Sequence, residues 1–390
     1  MIKKLFFSFF LFVSFSFVAQ TELETIDLPS DLEFFKSNTG NIGLKSKSGD
    51  EKIPAKYNSI FVYSSGFLVC KKNKITSFET TYSYGFYSLT FKEILPLAFQ
   101  SILPLSDNNF IVSRNSDGKY AVFSSSLKTI IPYEYESISP KSFDLYRVKK
   151  NNLFGFINNE GKLMIENKYS FALPFSEEKA AVSQNDLVGF IDLKGKMIIP
   201  ARFSTANSFH YNSATVYINN LSSCIDSIGE LRFPFVFKSI EPIPNSQFIF
   251  ETHPKYRGEF EKEVARTAHS FKLNQWAPVV EYSNTDDDGL SDQTNQFNFK
   301  GIISKDKKII GGEDFIEVLY LGEINQLNYF AVQTLTEVED NDNWNFTLLN
   351  GKGEQIGKAN HIELRFNSSK QQIEELVIEN GEAIWIKVQI

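Results

Sequence analysis

One stretch of the chain has the residue types and spacing of an inorganic-ion site. Asn284, Asp286, Asp288 and Asp292 stand at positions 1, 3, 5 and 9 of a loop, with Gly289 at position 6 and the Leu290 carbonyl beside it. Alternate oxygen ligands converge on a cation when a glycine lets the backbone turn sharply, and three carboxylates suit calcium. Position 12, where a bidentate carboxylate would complete the shell, is Asn295. Asn284, Asp286, Asp288, Leu290 and Asp292 are thus the candidate calcium ligands, and a plain acidic, solvated loop is the competing reading.

Acid-base, nucleophilic and phosphate chemistry find no comparable pattern. The four histidines, His210, His253, His269 and His361, show no ligand spacing and read as surface or packing residues. His253 and His269 flank Glu259, Glu261 and Glu263, a run better explained as the wet face of a helix than as a metal cluster. No G-x-S-x-G, no cysteine with a histidine partner and no glycine-rich phosphate loop is present. Carboxylate pairs that meet only in space stay open. No catalytic or cofactor-binding residue is assigned, and the reading favours a non-enzymatic protein. With 40 basic and 47 acidic residues, net charge −7 and no Lys/Arg block, nucleic acid is excluded as a partner.

The elements that must position these residues begin with the N-terminus. Lys3 and Lys4 precede an apolar run from Leu5 to Val18 that ends in Val18-Ala19-Gln20, which reads as a signal peptide over 1–20. That run is shorter than the roughly 20 residues a membrane span needs. The expectation is an exported protein, periplasmic or extracellular, with no transmembrane segment in the mature chain. Residues 21–40 form a lead-in, a strand or short helix around Leu28 to Lys36. The candidate calcium loop lies in an insertion over 251–298, where Phe260, Val264, Ala268 and Phe271 predict an amphipathic helix from about Glu259 to Lys272.

Most of the remaining chain is periodic. Phe154 to Tyr169 and Val188 to Phe203 are near copies starting 34 residues apart, a repeat signature. Aligned on a small residue, the register runs Gly43, Gly85, Ala121, Gly155, Gly189, Ser223 and, after the insertion, Gly301. Eleven residues on stand Pro54, Pro96, Pro132, Glu166, Pro200, Pro234 and Gly312, and three further Tyr57, Phe99, Tyr135, Tyr169, Phe203, Phe237 and Phe315. A late apolar position holds Cys70, Val112, Val148, Val182, Val216 and Phe250. Alternation predicts a hairpin from Gly189 through a turn at Gly195, ended by Pro200, with the next aromatic folding back over it as a plug. A third strand then leads to an Asn/Asp turn such as Asn185-Asp186. Cys70 and Cys224 fall on apolar positions and read as buried thiols, with a bridge between them as the alternative.

The pattern of Val188 to Phe203 (aromatic or apolar residue, Gly, aromatic, Ile-Asp, Gly-Lys, Ile-Ile-Pro, aromatic) resembles the bacterial WG repeat. Its Trp position holds Ile42, Tyr84, Tyr120, Phe154 and Val188, with no Trp before Trp344. The resemblance implies an all-β tandem array; with the alternation and the insertion read above, the expected fold is a series of three-stranded β-meander repeats, an open superhelix or propeller-like, with one helical insertion. Six units span 41–250 and two degenerate ones 299–390, the last starting at Trp344. The loop at Asn284 locally resembles the calcium-binding units of thrombospondin type 3 repeats. The functional expectation is an exported β-repeat protein presenting a surface to a protein or glycan of the cell envelope. An envelope enzyme with its site at 251–298, or a structural spacer, is the alternative.

Overall fold

Small residue, proline and aromatic prove to be parts of one local device. A computed structural model of the chain describes residues 27–74, 80–114, 116–252, 300–334, 346–358, 361–379 and 382–390. In the strand pair Leu153–Asn158 and Leu163–Tyr169, Phe156 faces Ile165, yet two residues earlier Phe154 faces Tyr169. The second strand therefore carries two extra residues, and the bulge sits at the proline position. The same shift occurs at Pro54, between Leu44 facing Ile53 and Ile42 facing Tyr57, and at Pro96, between Phe86 facing Leu95 and Tyr84 facing Phe99. Proline does not end the strand: a bulge needs no ladder donor there, so the strand runs on to the aromatic. The aromatic is held in the ladder instead of folding back as a plug.

The bulge explains the small residue. Backbone of the bulged strand crosses directly over it, and a Cβ on Gly155 would stand 2.6 Å from the Ile165 carbonyl oxygen. At Gly189 the corresponding distance is 2.5 Å to Ile199. At Ser223 the side chain turns this proximity to use, because its hydroxyl donates to the Phe233 carbonyl at 2.5 Å.

Three residues past the small one lies a position that the periodic reading did not single out. Ser46, Ser88, Ser124, Asn158, Asp192, Asp226 and Ser304 occupy it. Their side-chain oxygens accept backbone N–H groups across the turn, as Asn158 Oδ1 does from Glu160 and Lys162 at 3.1 and 2.9 Å. Gly161, Gly195 and Gly229 then supply the positive φ that closes the turn.

Strands are all antiparallel neighbours in sequence order, and each sheet is offset from the sequence repeat. The late strand pairs forward with the next unit's small-residue strand, and backward with a short strand after the aromatic. Leu145–Lys150, for example, lies between Ser137–Ile138 and Leu153–Asn158. The third strand thus belongs to the sheet of the following hairpin. This pairing also corrects the first repeat. Val69, not Cys70, pairs with Ile60 and Gly85 as Val148 pairs with Ile138 and Gly155. The first repeat is one residue short before its late strand.

The described residues divide into two compact units. One ends at Gln184 and also takes Ile191–Met197. It holds a three-stranded sheet from Leu32–Lys36 to Glu51–Tyr57, a seven-stranded sheet from Ser59–Tyr63 to Thr129–Tyr135, and a four-stranded sheet from Ser137–Ile138 to Leu163–Tyr169. The lead-in is accordingly a strand. The other unit, Asn185–Phe190 with Ile198–Ile390, holds a nine-stranded sheet from Thr205–Ala206 to Thr347–Asn350 and a three-stranded sheet from Leu364–Asn367 to Glu382–Lys387.

Cores are local and serial. One gathers Phe156, Ile165, Tyr169, Ala172, Phe175, Val182 and Ile191, and another Cys224, Phe233, Phe237, Phe248, Phe250 and Ile303. Each buried aromatic contributes roughly 1.5–3 kcal/mol by leaving water. Stacking of one turn on the preceding hairpin is close: a Cβ on Gly195 would touch Ile165, and one on Gly229 would touch Ile199. Both cysteines are free and buried. Burial pushes the Cys224 thiol up to about 12, so it is a neutral, inert packing group.

Candidate functional site

The candidate calcium ligands Asn284, Asp286, Asp288, Leu290 and Asp292 lie outside the described residues. So do the expected helix at Glu259 to Lys272, His253, His269 and the signal peptide over 1–20. Among the described residues no group of three or more His, Cys, Asp or Glu side chains could hold a metal ion. No helix among them is long and apolar enough to cross a membrane. Attention therefore falls on what the repeats expose.

Three late strands, Leu145–Lys150, Ala180–Gln184 and Ser213–Ile218, are each entered and left through a two-residue turn. The exit turns are Asn151-Asn152, Asn185-Asp186 and Asn219-Asn220, all with positive φ at both residues. Asn and Asp tolerate that conformation well, and it matches the twist of the flanking strands. The entry turns adopt the same geometry with unsuited residues: Phe143-Asp144, Glu177-Glu178 and Tyr211-Asn212, with φ of 50°, 48° and 53° at the leading residue. Mutual backbone bonds of 3.0 Å between Ser142 and Leu145 close the first of them. Left-handed backbone costs an aromatic residue about 1–2 kcal/mol. Asn245 and Asn325 fill the leading position in later units without that cost.

Phe143 and Tyr211 are also exposed, at 48% and 46%. Asp144, the second residue of the Phe143 turn, belongs to an ordered polar set. The Lys141 ammonium sits 3.0 Å from Asp107 and 3.6 Å from Asp144, and it donates to Asn159 Oδ1 at 3.3 Å. Asn159 Nδ2 in turn donates to Asp144 Oδ1 at 2.8 Å. Burial works against the Lys141 charge, but Asp107 outweighs it and holds the ammonium above its ordinary pKa. Nothing in the spacing of Phe143, Asp107 and Asn159 announced this set, since the three come from different hairpins.

Comparison with known proteins decides what the array is. The WG containing repeat matches residues 42–74, 84–120, 125–154, 154–187 and 189–221. Residues 42 to 221 are built of WG repeats. No curated protein matches the chain in sequence. Among solved structures it is similar to BamB from Moraxella catarrhalis at 9% identity, covering 90% of this chain and 94% of that one with a TM-score of 0.36. A virginiamycin B lyase from Staphylococcus aureus is similar at 13% identity, with 80% and 96% coverage and a TM-score of 0.27. A Bacteroides caccae protein of unknown function is similar at 13% identity, with 72% and 91% coverage and a TM-score of 0.22.

The WG repeat register also reads beyond the matched segments and exposes a polar substitution at the C-terminal end. Val332 pairs with Thr347, and Phe346 with His361. Thr347 is therefore the small position and Phe346 the Trp position, which shifts the expected start at Trp344. Asn350 accepts from Lys352 and Glu354 as Asn158 does in its own turn. His361 then stands at the invariant aromatic position, and Glu375, paired with Leu364, at the late apolar one.

His361 is 2% exposed, and its Nδ1 lies 2.6 Å from Glu375 Oε2. Lys358 reaches the same oxygen at 3.1 Å. Burial opposes the Glu375 charge, yet the hydrogen bonds of His361 and Lys358 outweigh it and hold its carboxyl below the usual range. Neighbouring Glu374 is brought down to about 2, first by Arg365 and then by Gln372, against its burial. Arg365 also covers the Trp385 ring at 4.0 Å. His361 is thus neither an exposed residue nor an apolar packing group.

Both carboxyls have native pKa values below the unfolded value of about 4.3, so their contribution is complete above that pH and is lost as pH falls through their lowered native values, for Glu374 at about 2. The C-terminal sheet is expected to lose hydrogen-exchange protection in that window, and Arg365→Met to move the loss upward in pH. An identical acid profile in the variant would contradict this.

Proposed function

We propose that this chain is an exported, non-enzymatic WG-repeat protein whose entry turns present a binding surface for a protein or glycan of the cell envelope. The observation that carries the reading is the pair Phe143 and Tyr211, large aromatic residues exposed at turn tips in a backbone conformation that disfavours them. Folding alone would select asparagine there, as at Asn245 and Asn325. Strain kept at an exposed position points to use, and variable tips on a regular scaffold are where repeat proteins carry recognition.

The test is capture from solubilised envelope by the full mature chain and by the variant Phe143→Asn with Tyr211→Asn. A molecule retained by the natural chain is expected to bind the variant at least tenfold more weakly. Equal retention would remove the turn tips from the interface. Export rests on Lys3, Lys4 and the apolar run that follows, and mass measurement of the mature chain should show loss of about twenty residues.

Calcium at Asn284, Asp286, Asp288, Leu290 and Asp292 is proposed on spacing alone. Calorimetric titration of the full chain is expected to show binding in the range of about 10⁻⁴–10⁻³ M, as for extracellular modules, that Asp288→Ala abolishes. Absence of heat below millimolar calcium would dismiss the site.

A further inference from the structure

We infer that the tip at Phe143 is a subsite for a neutral sugar ring, an inference that rests on the binding-surface reading above and narrows its partner to a glycan. Two kinds of contact are needed to hold a hexose. An aromatic face must cover the apolar C–H side of the ring, and planar amide and carboxylate groups must meet the hydroxyls around its rim. Phe143 provides the first, exposed on a turn whose two backbone bonds fix it relative to the strand.

Asp107, Asp144 and Asn159 provide the second. Asp144 keeps 78% of its side chain accessible while one oxygen is held by Asn159. A carboxylate has about four acceptor positions, so its free oxygen and the remaining lone pairs stay open to hydroxyl donors. Because these groups are already tied to one another, little side-chain freedom is lost on binding. The Tyr146 hydroxyl is buried within electrostatic reach of Asp107, Lys141 and Asp144, with Asn109 as its hydrogen-bonding neighbour.

Charge selects the class of sugar. The set contains Asp107, Asp144 and Lys141, one negative charge in excess, and the Lys141 ammonium is already engaged by Asp107 at 3.0 Å and Asn159 at 3.3 Å, with Asp144 at 3.6 Å. A uronic or sialic acid would meet repulsion with no cation left to offset it. A neutral hexose or N-acetylhexosamine meets only acceptors, amide groups and an aromatic face.

The experiment titrates the full mature chain with neutral hexasaccharides of glucose, mannose and N-acetylglucosamine, and with a hexuronate, using calorimetry. At least one neutral hexasaccharide is expected to bind, the hexuronate at least tenfold more weakly. Phe143→Asn is expected to weaken that binding at least tenfold with its melting temperature unchanged or raised, since asparagine suits the turn. Asp144→Ala should weaken it without unfolding the chain. Preference for the hexuronate, or full binding by Phe143→Asn, overturns the inference. If no oligosaccharide binds at millimolar concentration while an envelope protein is released by Phe143→Asn, the glycan assignment falls and the binding surface stands. If neither binds, both fall.

Discussion

Replacing Glu375 with valine, the residue at the equivalent position in five WG repeats (Val69, Val112, Val148, Val182 and Val216), is expected to destabilise the protein by about 3 kcal/mol. Ordinarily such a change would fill an apolar position with an apolar side chain. Here it strands His361, which is 2% exposed and has Glu375 at 2.6 Å as the partner of its Nδ1. A buried polar group left without its partner costs about 1–3 kcal/mol, and breaking a buried charged pair about 3–5. The double variant His361→Phe with Glu375→Val writes both repeat positions back in. It should return to within about 1 kcal/mol of the natural chain or exceed it, because an apolar pair of similar volume avoids the desolvation penalty. Urea unfolding of the single and double variants measures the coupling directly. A Glu375→Val chain as stable as the parent would show that His361 needs no partner.

The second large effect is at Gly155. Alanine there puts a methyl group 2.6 Å from the Ile165 carbonyl and 2.8 Å from the Asn167 nitrogen, both backbone atoms of the bulge. Neither can swing aside as a flexible side chain would, so the strand itself must move, at an expected cost of about 1–3 kcal/mol. Gly155→Ser should cost less than Gly155→Ala despite being larger, because a hydroxyl can donate to the carbonyl as Ser223 does to Phe233. Thermal unfolding of both variants decides the order. Serine worse than alanine would mean that the clash is steric alone.

The period, the all-β class and the Asn/Asp exit turns were legible because each depends on one residue type acting locally. Asn185-Asp186 announces a left-handed turn wherever it occurs. The bulge was not legible, because Pro96 looks like a strand end until Gly85 is known to lie beneath its strand. Cys70 was placed one residue off for a related reason: the first repeat drops a residue, and only pairing with Ile60 and Gly85 reveals Val69 as the true occupant. Trp344 attracted the start of the last unit through its identity, whereas the Asn350 and Gly353 turn carries the correct register. Phe143 was invisible as a candidate because Phe-Asp is no turn signal. Its backbone is imposed by the hairpin on either side, and its polar neighbours Asp107 and Asn159 arrive from other hairpins.

The offset between sheet and sequence repeat has a consequence for how such a chain can change in length. The sheet at 137–169 takes its late strand from one copy and its hairpin from the next, so the copying unit there is out of phase with the pairing unit. Slippage during replication that removes the 34 residues from Phe154 to Leu187 would join Leu153 to Val188. The late strand at Leu145–Lys150 would then pair with the Val188 strand by the same ladder it now makes with Phe154. No sheet would be left half-built. Because Phe154 and Val188 occupy equivalent points of their copies, removal of one whole period leaves the ladder register intact and permits loss of a copy in a single step.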